Sequence, residues 1–337
     1  MNYNKAILFI LSFTIALLFF SCEKTTEPEK IELSRRDYTW TVDTVKAFNT
    51  YLMKMWGSSP TDVWAVGNGG SLDDDIWHYD GVNWSTDGIS RLINPWCIYG
   101  FSEKDIWVGG SEGSIWHYGG GSWYESFTYK NSDYSSIFFV DIWGETPDDV
   151  YAVGFADSNE VRFGLMMHYN GTEWSRVNIK FTEGILNGIK KGNNANNKYY
   201  IWNHIQNRQQ DSAKYFEFDN EKLEEIYFDK DHWHDLTIFD DEVIFTIDNG
   251  IYTYNNDSFN LITENPYPNN YQSVYGRNKK DIIWAMADGL THFNGTDFEY
   301  ILEFDDLNLL DGVVFDDTVF FVSYGERDNY IFKGILK

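Results

Sequence analysis

Asp62-Val63-Trp64-Ala65-Val66-Gly67 decides the reading of this chain, because the hexapeptide comes back. Asp105-Ile106-Trp107-Val108-Gly109 and Asp149-Val150-Tyr151-Ala152-Val153-Gly154 follow it at intervals of 43 and 44 residues. Asp281-Ile282-Ile283-Trp284-Ala285 is a fourth copy. Five residues before each Asp stands a glycine that follows an aromatic: Trp56-Gly57, Tyr99-Gly100, Trp143-Gly144 and Tyr275-Gly276. After each copy comes a second motif, fullest as Ile76-Trp77-His78-Tyr79-Asp80-Gly81-Val82-Asn83-Trp84. It returns around His117, His168 and His292, twice with Asn-Gly in place of Asp-Gly. Asp-Gly or Asn-Gly between alternating apolar residues is the strongest short hairpin signal a sequence offers.

Each unit therefore reads as four short strands. A ends in the aromatic-Gly pair, B is the Asp-Val-Trp stretch, C is the His-Tyr stretch, and D carries the Trp after the turn. Degenerate copies around Tyr199–Tyr215, Ile238–Ile251 and Val314–Tyr330 bring the count to seven. Four strands at a period of 40–45 residues mark a β-propeller blade, which buries both faces only by packing on its neighbours. The predicted fold is all-β, a seven-bladed propeller. The seventh unit stops after its C strand, whereas Asp37-Tyr38-Thr39-Trp40-Thr41-Val42 reads as a D strand with nothing before it. The segment around Trp40 is expected to complete the last blade and close the ring. The body, 37–337, is then 301 residues, or 43 per blade.

Residues 1–21 stand apart. One Lys is followed by an apolar run of 15 residues, too short to span a bilayer, which needs roughly 20. The run ends in Ser21-Cys22 and resembles the signal peptide and lipobox of bacterial lipoproteins. The resemblance implies cleavage before Cys22 and acylation of its thiol. Residues 22–36 are polar, without hydrophobic period, and read as a flexible tether reaching roughly 20 Å. Cys97, in Trp96-Cys97-Ile98, is then an unpaired buried thiol.

The repeats resemble those of bacterial secreted and lipoprotein β-propellers with Trp-Gly…Asp-Val-Trp-Ala-Val-Gly…His-Tyr-Asp-Gly…Trp units. The likeness covers nearly the whole mature chain and is clearest over 56–174. It implies an extracytoplasmic protein, anchored in the bacterial cell envelope, with the outer membrane as the expected address. The Gly-x-x-Trp endings are similar to the Asp box of sialidases. The aspartate that defines that box is replaced by Tyr79 and Tyr169, so sialidase chemistry is not implied.

Composition narrows the function. With 26 Lys+Arg against 52 Asp+Glu the net charge is −26, which leaves no basic field for nucleic acid. Aromatics make up 18% of the chain, too many for a disordered acidic polymer. There is no Gly-x-Ser-x-Gly elbow, Walker loop or His-Glu-x-x-His. His78, His117, His168 and His292 repeat at one position of four blades; such a spacing holds them apart and suits bonding within each blade, not a shared metal. His232 and His234 break the repeat, and alternate residues of a strand face the same way. They are either metal ligands or part of a solvated loop entering strand A. Asp73 and Asp75, in Asp73-Asp74-Asp75, are candidate Ca²⁺ ligands but lack the spacing and glycine of a calcium loop. No cofactor is expected beyond such a divalent metal.

Topology divides the ring. D–A and B–C connections share one face, and A–B and C–D turns share the other. The second face has short uniform turns. The first has variable segments at 68–75, 155–164, 203–213, 323–329, 129–134 and 265–271. Within or beside these, Arg162, Arg208, Trp233, Tyr267, Tyr271, Tyr324 and Arg327 are the candidate ligand-binding residues, since aromatics beside planar polar groups suit carbohydrate or protein. Three functions compete: a non-enzymatic binding or scaffold propeller, a polysaccharide hydrolase or lyase, and a structural subunit of an envelope complex. Carboxylates converging on the ring axis favour the enzyme; an aromatic variable-loop face favours binding.

Overall fold

The computed structural model describes residues 34–47, 49–70, 74–158, 161–192, 198–206, 211–230, 234–268, 270–325 and 327–337. The leader, Cys22 and the tether as far as residue 33 lie outside the described residues.

Seven four-stranded antiparallel sheets follow one another, each with its strands in chain order except the last. Their A strands are Tyr51–Ser59, Pro95–Ser102, Ser136–Thr146, Ile185–Lys191, Asp235–Phe239, Asn270–Asn278 and Asn308–Val314. All seven line one axial cavity, so A is the innermost strand. In blade seven the D position is taken by Tyr38–Val45, which pairs antiparallel with Asn329–Leu336 and sets Trp40 opposite Gly334. The Trp40 indole N–H donates to the Ile301 carbonyl at 2.9 Å, tying the closing strand to blade six as well. The protein is a seven-bladed β-propeller, closed by its amino-terminal strand.

The repeated glycines follow from close backbone approach. Strand A carries a bulge midway, at Leu52/Lys54, Phe139/Asp141 and their equivalents. There its carbonyl presses on the last glycine of the Asp-Val-Trp motif. A β-carbon at Gly67 would fall 1.8 Å from the Tyr51 oxygen, and one at Gly154 1.9 Å from the Phe138 oxygen. The aromatic-Gly pair serves the seam between blades. A β-carbon at Gly100 would meet Trp56 of blade one at 2.7 Å, and one at Gly144 would meet Phe101 of blade two at 2.6 Å.

The recurrent histidines bond within their own blades. The Nε2 atoms of His78, His117, His168 and His292 stand 2.7, 2.6, 2.6 and 2.8 Å from Asp62, Asp105, Asp149 and Asp281. Three of the rings stack on the B-strand aromatic, with centroids 4.1 Å apart for Trp64, 3.9 Å for Trp107 and 4.3 Å for Tyr151. Burial raises the Asp62 and Asp281 carboxyls, but hydrogen bonds from His78 and Ser58, and from His292 and Arg277, outweigh it and hold both below the usual range. Folded pKa values thus lie below unfolded ones. The stabilisation is complete above about pH 4 and lost as pH falls through the folded values. Guanidinium midpoints should drop between pH 6 and pH 3, and by less in Asp281→Asn; an equal drop in that variant would refute the assignment.

Two boundaries differ from the sequence reading. Residues 155–164 are not a loop: strand B, Asp149–Ser158, runs on against Val161–Tyr169, with Phe155 opposite Gly164. The alternating apolar residues continue the ladder past the usual turn. Likewise Tyr324 pairs with Asn329, and Ile205 with Ser212, so those segments are mostly hairpin. Among the described residues Ser34–Arg36, ahead of the boundary read at 37, already contact the propeller. Ser34 Oγ donates to the Lys280 carbonyl at 2.9 Å, and Arg36 reaches Glu299 at 2.9 Å and His292 Nδ1 at 3.3 Å.

Candidate functional site

Two places gather chemistry. The first is the variable-loop face of blades two to four. Arg162 pairs with Asp157 through Nε at 2.9 Å and Nη2 at 3.1 Å, and its guanidinium carbon lies 3.9 Å over the Phe155 ring. Phe155 stacks on Phe138 at 5.1 Å, and Phe138 meets Trp96 at 5.5 Å. A ladder Arg162–Phe155–Phe138–Trp96 thus runs inward from the blade-three hairpin to the bulge of blade two's A strand. In the D–A connections of the same face Leu92 is 76% exposed and Phe181, which meets Phe163 at 5.6 Å, is 68% exposed. Two carboxylate bonds and a ring fix the guanidinium, and Nη1 donates to Gln206 Oε1 at 3.4 Å.

Of the residues predicted for this face, Arg162 joins the ladder. Tyr324 meets Tyr51 at a tilt, with centroids 4.0 Å apart, and Arg327 is exposed. Tyr267 packs in blade six against Tyr300 at 5.0 Å. Trp233, Arg208 and the Tyr271 side chain lie outside the described residues. So do His232 and Asp73 of the candidate metal sets. His234 is buried, with Nδ1 2.8 Å from the Thr246 carbonyl, and Asp75 is buried in blade one. Among the described residues no group of three or more His, Cys, Asp or Glu is placed to hold a metal ion. Trp96, Phe138 and Phe155 escaped the sequence reading. Their signal was a second aromatic beside a core position, as in Phe138-Phe139 and Trp96-Cys97.

The second place is the axial cavity, about 810 Å³, whose lining runs from mid-strand to Glu145, Gly192 and Asp241 at the A–B turns. It therefore opens on the face of uniform turns, opposite to the one expected. Strand register puts one residue in each of six blades at its inner layer: Lys54, Cys97, Asp141, Gly188, Asp235 and Asp311. Two of the three carboxylates clamp neighbouring blades. Asp141 accepts from Ile189 N at 3.0 Å and Lys190 Nζ at 2.7 Å; Asp311 accepts from Met55 N at 2.8 Å and Tyr275 OH at 3.1 Å. The Asp235 carboxylate accepts only the N–H of its neighbour Leu236, at 2.8 Å, among the described residues. Burial drives its carboxyl up to about 6, against the pull of Lys54. Lys54 is held charged by Asp311 above all, with Asp235 and Asp141 adding. Burial pushes the Cys97 thiol well up, as expected for a core cysteine.

Carboxylates do converge on the axis, as an enzyme would require. Glycoside hydrolysis, however, needs two carboxylates free to act, and Asp141 and Asp311 are spoken for by backbone N–H groups. Among the inner-layer carboxylates Asp235 is the one held by no neighbouring blade, and Glu145 and Asp241 lie nearer the mouth.

No family model and no curated protein matches the chain. Its fold is similar to that of solved propellers. "YCF48 bound to D1 peptide" superposes with a TM-score of 0.63 at 13% identity, over 91% of this chain and 100% of that one. A catalytically inactive virginiamycin B lyase from Staphylococcus aureus with quinupristin gives 0.63 at 11%, over 89% and 100%. The WD40 β-propeller domain of Doa1 gives 0.55 at 13%, over 88% and 97%. At such identities the likeness concerns the fold. One of these propellers binds a peptide and another is a lyase, so the fold alone does not choose between binding and catalysis.

Proposed function

We propose that this chain is a lipid-anchored, extracytoplasmic binding propeller of the bacterial envelope that holds a protein ligand on its variable-loop face. The observation that carries the reading is the Arg162–Phe155–Phe138–Trp96 ladder, a cation–aromatic array in a face whose connections also expose Leu92 and Phe181. Arginine and aromatic anchors in pre-ordered positions are what protein interfaces concentrate their energy on. The peptide-bound neighbour supports a protein ligand over a glycan. Anchoring rests on the resemblance of residues 1–22 to a lipoprotein leader. The net charge of −26 suits a protein held off anionic lipid at the end of a tether.

The test is photo-crosslinking in the native host from Phe181 on this face and from Val82 on the other. A discrete adduct is expected from Phe181 only, lost in Arg162→Ala, and the protein should leave the membrane fraction in Cys22→Ala. Equal adducts from both positions, or an adduct indifferent to Arg162, would remove the face; a membrane-bound Cys22→Ala would remove the anchor.

A further inference from the structure

We infer that the axial cavity is a second ligand site, separate from the variable-loop face, which takes a neutral polyhydroxylated molecule such as a sugar unit from the side of the A–B turns. Its volume, about 810 Å³, lies within the range of small-molecule sites, roughly 300–1,000 Å³. Aromatic surface and hydrogen-bonding groups share its wall. Trp56, Trp143, Trp202 and Tyr99 line it together with Lys54, Asn187 and Asp235. Trp202 belongs to strand B and reaches the cavity because its A-strand partner is Gly188, the one member of the inner layer without a side chain. A β-carbon there would stand 4.0 Å from the indole and 3.7 Å from Asp141, so the space is open.

The polar groups ask for hydroxyls. The second Asp235 oxygen has no donor among the described residues, while the Asn187 amide nitrogen is buried without an acceptor. An amide N–H left so is costly, and Asn187 belongs to the cavity wall. A hydroxyl both donates and accepts, and so serves the carboxylate, the amide and Lys54 at once. Five lining carboxylates, Asp141, Glu145, Asp235, Asp241 and Asp311, against Lys54, Lys190 and Lys191 disfavour an anion. Lys190 neutralises Asp141, Lys191 pairs with Glu145, and Lys54 stands among the inner carboxylates, where it would repel a cation. The aromatic residues among the lining add the apolar surface that a sugar's C–H face needs.

The experiment is saturation-transfer NMR on the full chain in a sugar-free detergent. The probes are cellobiose, maltose and chitobiose, with spermidine and citrate as charged controls. Transfer is expected to at least one disaccharide. It should weaken about tenfold in Asp235→Asn, the usual loss for one good hydrogen bond to a charged group. It should vanish in Gly188→Leu, which puts a branched side chain between Trp202 and Asp141 in the cavity wall, and persist in Arg162→Ala, which touches only the other face. Thermal melts of each variant confirm folding. No transfer to any disaccharide, preference for spermidine or citrate, or survival of the signal in a folded Gly188→Leu would overturn the site. None of these results bears on the variable-loop proposal, which Arg162→Ala tests separately.

Discussion

Removing residues 34–46 is expected to cost the propeller its closed ring and most of its resistance to heat. The segment supplies the whole Tyr38–Val45 strand, eight residue pairs against Asn329–Leu336. Tyr38 and Val45 are 8% and 2% exposed, and Arg277 bonds the Tyr38 hydroxyl at 3.1 Å while reaching Asp281 at 3.2 Å. Each large apolar side chain contributes about 1.5–3 kcal/mol and each net hydrogen bond about 1 kcal/mol. A loss of about 5–10 kcal/mol follows, against a total stability of about 5–15 kcal/mol. Circular-dichroism melts should show Tm lowered by about 15 °C or more, or no cooperative transition at all. Trp40→Ala alone should cost about 3 kcal/mol, since its indole covers Gly334 and bonds Ile301. A deletion variant that melts within a few degrees of the parent would mean that seven sheets hold the ring without the strand.

The second large effect is local. Gly154→Ala should destabilise the protein by about 3–5 kcal/mol, because its β-carbon would sit 1.9 Å from the Phe138 oxygen and 2.9 Å from Phe139 Cα. The clash is with backbone, which cannot rotate away, and it falls where strand A bulges toward the axis. Gly188→Ala is the matched comparison. Its β-carbon would meet nothing closer than 3.7 Å, so the change should be neutral or raise stability by up to about 1 kcal/mol. Urea midpoints of the two variants read the contrast directly. Similar losses in both would show that strand glycine as such, and not the bulge, explains the repeat.

Much of this architecture was legible beforehand. Strands A to D were readable because Asp-Val-Trp and His-Tyr-Asp-Gly recur at a near-constant interval, and local patterns repeat whenever local structure does. The closing role of the Trp40 segment was readable too, since a blade lacking D and a D lacking a blade fit only each other. The within-blade bonding of His78, His117, His168 and His292 followed from their equivalence. The functional places were less legible. Phe138-Phe139-Val140 reads as one apolar run, and only the bulge determines that Phe139 enters the core while Phe138 stacks on Phe155. The ladder extends along a hairpin that composition marked as a loop.

The layer of Lys54, Asp141, Asp235 and Asp311 was invisible for another reason. These residues lie far apart in the chain and share no motif; each reads alone as a solvated charge. The periodic sequence by itself determined the strands, their order and the number of sheets, because backbone hydrogen bonding and alternation act over neighbouring residues. Only ring closure decided which charges meet on the axis, and on which face the space between them opens, because that depends on seven separated strands converging at one radius.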